Sequence, residues 1–188
     1  KEKLDGNKSK KASESQKSAA DKMEEMAESL DAMQQESNQE QQAEDMEMLR
    51  NILESLVTLS FEQEDVMNRL TKVQDGDPAY KKYSRQQRKI VDDTKGVRDS
   101  LYALAERQPK IATFIDAELT TIQENHRLAL TDLDEFQEQN SRRNLATHQQ
   151  FVMTSYNNLA LMLNESLQQM QQQMQAMTQE MQQMHQML

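Results

Sequence analysis

Residues 49–78 read LRNILESLVTLSFEQEDVMNRLTKVQDGDP, and this stretch decides the fold. Leu49, Leu56 and Leu70 recur in sevens, as do Ile52, Leu59, Val66 and Val73, while Leu53 and Met67 fill the stripe between them. Apolar residues at 3-4 spacing form one face of an amphipathic helix. Gln74-Asp75-Gly76-Asp77-Pro78 then stops that helix and starts another. Glycine suits a helix C-terminus, aspartate caps an N-terminus, and proline fits a first helical turn.

The same reading extends in both directions. Upstream, Met23, Met26, Leu30 and Met33 step by three and four, and the polar stretch Gln34 to Asp45 contains neither Gly nor Pro. One helix is therefore predicted from about Ser18 to Val73, roughly 84 Å long at 1.5 Å per residue. Downstream, Tyr80, Tyr83, Gln87, Ile90, Thr94, Val97, Leu101 and Leu104 keep the spacing through Gly96, which costs about 1 kcal/mol without breaking the helix. Arg107-Gln108-Pro109 predicts a corner, because proline pushes its predecessor out of the helical region. A third stripe runs Ile115, Leu119, Ile122, His126, Ala129, Leu133 and Phe136. After a polar segment, with Asn140-Ser141 as an expected cap, the last helix carries Tyr156, Leu159, Leu163 and Leu167. Its stripe continues through Met170, Met174, Met177, Met181, Met184 and Leu188.

Composition agrees with a helical chain. The 188 residues include 3 Gly and 2 Pro, far below the usual share of about 12%. Sandwiches, barrels and Rossmann sheets, which need frequent turns or glycine loops, are excluded. Hydrophobic residues make up only 36%, so the core must be thin. The absence of Cys excludes a disulfide scaffold, a thiol nucleophile and a cysteine-ligated metal.

Short corners favour antiparallel neighbours. The expected architecture is all-α: an antiparallel four-helix bundle over 46–168, extended by a two-stranded antiparallel coiled coil of 20–45 with 167–188. Residues 1–17 are expected to be a flexible linker and 18–188 a single elongated helical domain. Methionine supports the pairing of the arms: of 14 Met, none lies between 68 and 152. Two distant segments thus share one unusual composition, as partners in a seam would. The seam residues are expected to be Met23, Met26, Leu30 and Met33 against Met170, Met174, Met177, Met181, Met184 and Leu188. Two other readings of the stripe are a surface that grips varied apolar segments, since Met is flexible and polarisable, and thioether binding of Cu(I) beside His185. Seam packing is the preferred one.

Charge is unevenly spread over the net −10. Residues 1–17 are basic, 21–54 strongly acidic and 78–110 basic, whereas 167–188 carry one acidic side chain, Glu180. The basic second helix is expected to find complementary acids within or beside the bundle. Overall acidity and the lack of interleaved aromatics argue against nucleic acid as a partner. The histidines lack a Glu three residues earlier, so no di-iron pattern is present. His126 lies on a core stripe and is expected to be a partnered bundle residue; His148 and His185 are expected to face solvent. No set of acids falls on a core stripe, so paired catalytic carboxylates are unsupported, and neither a phosphate loop nor a G-x-S-x-G elbow occurs. We therefore expect a non-enzyme without cofactor or metal.

Four segments taken together carry a family resemblance: Ile52-Leu53-Glu54-Ser55-Leu56 through Phe61-Glu62-Gln63-Glu64, Asp77-Pro78-Ala79-Tyr80, Asp99-Ser100-Leu101-Tyr102-Ala103-Leu104, and Met153-Thr154-Ser155-Tyr156-Asn157-Asn158-Leu159-Ala160-Leu161. Over roughly 45–188 the chain resembles the helical, Gln- and Met-rich C-terminal region of a domain-of-unknown-function family of large Bacteroidetes envelope proteins. The resemblance implies a membrane-anchored parent and an extracytoplasmic place in the cell envelope; it implies no catalytic residue. The chain opens on Lys1, which agrees with a piece of a longer protein, and any membrane contact is expected through segments outside it. The expected function is a helical interaction or spacer module that meets a protein partner or a second copy. The alternative is a chaperone-like binder of apolar segments.

Overall fold

A computed structural model describes the backbone of residues 2–187 and the side chains of 17, 19, 21–138 and 140–183. Among the described residues there are four helices and no strand: α1 (Glu2–Leu70), α2 (Ala79–Arg107), α3 (Pro109–Asp134) and α4 (Gln139–Met187). The chain divides into two compact units, residues 1–43 and 44–188.

The first unit is helical from Glu2 onward. Residues 2–17, expected as a linker, thus belong to α1. Their Lys, Glu, Gln and Ala are good helix formers and no proline interrupts them, so the single Gly6 is tolerated.

The second unit is a helical bundle built from residues 44–70 of α1 with α2, α3 and α4. Hydrogen bonds give the helix directions. Asp45 meets Arg107 while Gln63 meets Gln87, so α1 and α2 run antiparallel. Thr94 lies beside His126 and Arg88 beside Asp134, which does the same for α2 and α3. Glu118 meets Asn158 and Asn125 meets His148 across α3 and α4. Ser60 with Asn157 and Val73 with Arg142 close the ring between the α1 side and α4. One apolar stripe per helix fills the centre, including Leu49 and Leu56, Ile90 and Leu101, Ile115 and Ile122, Leu159 and Leu163.

The corners follow local chemistry. Leu70 ends α1, and Gly76 takes φ +79°, a left-handed value that costs an L side chain about 1–2 kcal/mol. Pro78 already has helical dihedrals, φ −61° and ψ −21°, and the Ala79 N–H donates to Asp77 Oδ1 at 2.8 Å. Asp77 therefore does the capping work expected of it. At the second corner Gln108 sits at φ −121°, ψ 84°, out of the helical region before Pro109. The third corner departs from expectation. Helix α4 starts at Gln139, so Ser141 is inside the helix, buried, with its Oγ near Glu135 Oε2 at 3.5 Å rather than capping. Arg142 secures this corner instead. It donates to the Phe136 carbonyl at 2.9 Å and the Val73 carbonyl at 3.3 Å, pairs with Asp75, and lies over the Phe136 ring.

Gly76→Ala should destabilise the bundle by about 1–2 kcal/mol, because nothing lies within 4 Å of the added methyl and only the backbone strain remains. Urea unfolding measures it; Gly76→Asn, which tolerates the left-handed region better, should lose less.

Candidate functional site

Polar side chains on the core stripes are the feature that distinguishes this bundle. The heptad of Leu49, Leu56 and Leu70 is interrupted at Gln63, and Gln63 is buried. Gln63 and Gln87 exchange amide hydrogen bonds in both directions, at 2.8 and 2.9 Å. Gln149 from α4 donates to the same Gln87 Oε1 at 2.6 Å. Three helices are thus joined through one amide, with Gln87 at its centre.

About two helical turns along lies a second polar layer. Tyr156 from α4 is fully buried, and its hydroxyl touches Thr94 Oγ1 of α2 and His126 Nε2 of α3, the latter at 2.8 Å. Thr94 Oγ1 also reaches the Ile90 carbonyl at 2.6 Å. Burial lowers the His126 pKa from 6.5 to about 4 and pushes the Tyr156 hydroxyl well above its usual value, so both are neutral near pH 7. His126 Nδ1 is buried without a hydrogen-bond partner. His126 was readable on its stripe; Thr94 and Tyr156 were readable only as stripe members, and their meeting was not.

Two acids, Asp45 and Asp132, are buried. Asp45 accepts from Arg107 Nε at 2.7 Å and Gln108 Nε2 at 2.8 Å, so it clamps the α2–α3 corner to α1. Its position at the end of a polar run concealed it, because the residues that face it arrive from a distant corner. Asp132 is buried on α3, where loss of hydration raises its pKa. His148, expected in solvent, is half-buried: its Nδ1 meets Asn125 Oδ1 at 3.0 Å and its Nε2 stands 3.5 Å from Asp132 Oδ2. The crossing of α3 and α4 covers it.

The basic residues of α2 find acids closer than expected. Lys89 pairs with Asp93, Lys95 with Asp92 and Arg98 with Asp99, all on α2, while Arg88 pairs with Asp134 of α3. Such exposed pairs contribute about 0–1 kcal/mol each.

The methionine stripes divide in two. Met170 and Met174 are half-buried against the bundle core, Met177 is half-buried, and Met181 is 41% exposed. Met23, Met26, Leu30 and Met33 are 62–70% exposed. Full burial along α1 begins only at Asp45, after the polar run from Gln34. The side chains of Met184 and His185, and Leu188 altogether, lie outside the described residues. Among the described residues no group of three or more His, Asp or Glu is placed to hold a metal ion, and no helix is long and apolar enough to cross a membrane. Comparison with protein-family models, curated proteins and solved structures finds no match for this chain.

Gln87→Leu should cost about 1–3 kcal/mol in urea unfolding, because it leaves two buried amides unpaired; Gln63→Leu, Gln87→Leu and Gln149→Leu together should recover most of that loss. His126 carries a signed pH effect. Its folded pKa of about 4 lies below the unfolded 6.5, so the folded chain binds fewer protons between those values. Its contribution is complete above pH 6.5 and falls by about 3 kcal/mol as the pH drops through 4. Stability measured across pH 3–7 should show this slope in the natural chain and lack it in His126→Gln.

Proposed function

We propose that this chain is a non-catalytic helical interaction module, in which the apolar stripe of α1 is the contact surface. The observation that carries the proposal is the row Met23, Met26, Leu30 and Met33, kept at helical 3-4 spacing and 62–70% exposed. Contiguous apolar surface of this kind marks a contact site. Its period is that of a two-stranded coiled coil, so its partner is another amphipathic helix. The expected antiparallel pairing of 20–45 with 167–188 belongs to the same proposal, with Met177 and Met181 on the other strand. The buried polar groups support a structural role for the bundle, since Gln63, Gln87, Gln149, Thr94 and Tyr156 bond to one another across helices. A cell-envelope setting and a membrane-anchored parent rest on the resemblance over 45–188 alone.

A second reading is a chaperone-like grip on apolar segments. The same observation favours it, because three of the four exposed residues are the flexible Met rather than Leu.

Met26→Glu with Leu30→Glu separates the readings. In the module reading the natural chain forms a defined complex, seen by sedimentation at rising concentration, and the variant does not. Suppression of another protein's aggregation without a defined complex favours the chaperone-like reading. Equal mass and equal melting for the natural chain and the variant, with no client effect, overturns both.

A further inference from the structure

A cleft of about 250 Å³ opens between α2 and α3. These helices approach each other less closely than α3 and α4 do. The antiparallel register sets Thr94 level with His126, and it arranges the rest of the lining by level. Val91 and Leu130 flank that level toward one end of the bundle, Leu119 and Ile122 toward the other. At the mouth stand Lys95, Arg98 and Arg127.

Three observations converge on the ligand. Val91, Leu119, Ile122 and Leu130 give the cleft an apolar wall beside Thr94 and Gln123. The charged lining is wholly cationic, and each cation is held only by a neighbour on its own helix: Asp92, Asp99 and Glu124. Such exposed pairs are weak enough to be exchanged for another anion. The third is His126 Nδ1, a buried polar atom without a partner on a ring that lines the cleft. Native structures satisfy nearly all such atoms.

We propose that this cleft binds a small amphiphilic carboxylate, with its chain along the apolar wall and its carboxylate between His126 Nδ1 and the cations at the mouth. The volume lies just below the ~300–1,000 Å³ of typical small-molecule pockets, which suits a short or medium chain. The buried hydroxyls make the histidine end adaptable. With Thr94 donating to Tyr156, and Tyr156 donating to His126 Nε2, the ring hydrogen sits on Nδ1, where a carboxylate that reaches the ring accepts it. The reverse order, with Thr94 donating to the Ile90 carbonyl, leaves Nδ1 bare. A bound carboxylate selects the first arrangement. This site lies apart from the α1 stripe, and its test is independent of the coiled-coil proposal.

Octanoate titrated into the full chain, followed by calorimetry and by the ring-nitrogen signals of 15N-labelled histidine, tests it. Octanoate should bind saturably and shift His126 toward the Nδ1–H form, with octanol binding at least about tenfold more weakly. Lys95→Glu, Arg98→Glu and Arg127→Glu together should weaken octanoate by about tenfold or more, each exposed charge contributing a fraction of that factor. Lys95 and Arg127 are exposed and Arg98 is half-buried, and unchanged circular dichroism verifies the fold. Leu130→Trp, which fills the cleft beside Val91, should also abolish binding. No saturable binding, binding that ignores the charge reversals, or binding that leaves the His126 ring signals unmoved overturns the proposal.

Discussion

Gln63, Gln87 and Gln149 meet inside the bundle, and the alignment of α1, α2 and α4 depends on that meeting. Apolar stripes alone tolerate a slip of one heptad, because Leu replaces Leu. Amides do not tolerate it: a slipped register leaves buried N–H and C=O groups without partners, at about 1–3 kcal/mol each. The polar layer therefore works as a register device, like a polar residue at one core position of a coiled coil. The Thr94, His126 and Tyr156 layer does the same for α2, α3 and α4, and ties in the helix that the amide layer omits.

Charge and aromatic contacts join the apolar core in closing the two ends of the bundle. At one end Asp45 gathers Arg107 and Gln108 from the α2–α3 corner. At the other, Arg142 ties both corners together, and Tyr80 stacks near Phe136 with ring centroids 4.7 Å apart while its hydroxyl reaches the Leu133 carbonyl. With only 36% hydrophobic residues and 4% aromatic ones, the chain spreads its apolar matter along the bundle, from Met46, Leu104 and Ile111 at one end to Val73, Leu133 and Phe136 at the other.

Two stretches with the same methionine spacing meet different fates. Met170 and Met174 continue the α4 stripe directly from Leu163 and Leu167 and stay against the core. Met23, Met26, Leu30 and Met33 are separated from the first fully buried residues of α1 by the polar run from Gln34, and they remain exposed. A pattern of period 3.5 states that a helix has an apolar face; it does not name what covers that face.

Much of this protein was determined locally. The stripes at 3-4 spacing, the Gly76-Asp77-Pro78 break and the Gln108-Pro109 corner depend on backbone sterics and on the helical repeat, both of which act within a few residues. Those elements are legible in the chain, and so is His126 as a core residue. Gln63 left a trace, as the missing member of a leucine heptad, but its meaning required Gln87 and Gln149 to arrive beside it. Asp45, Asp132 and His148 left no such trace. Whether an acid is buried depends on a donor brought from 62 residues away, as Arg107 is to Asp45, and no local pattern carries that information. The tertiary structure alone decided which polar groups meet and where α2 and α3 part to leave a cleft, because both follow from the simultaneous packing of four helices and not from the periodicity of any one.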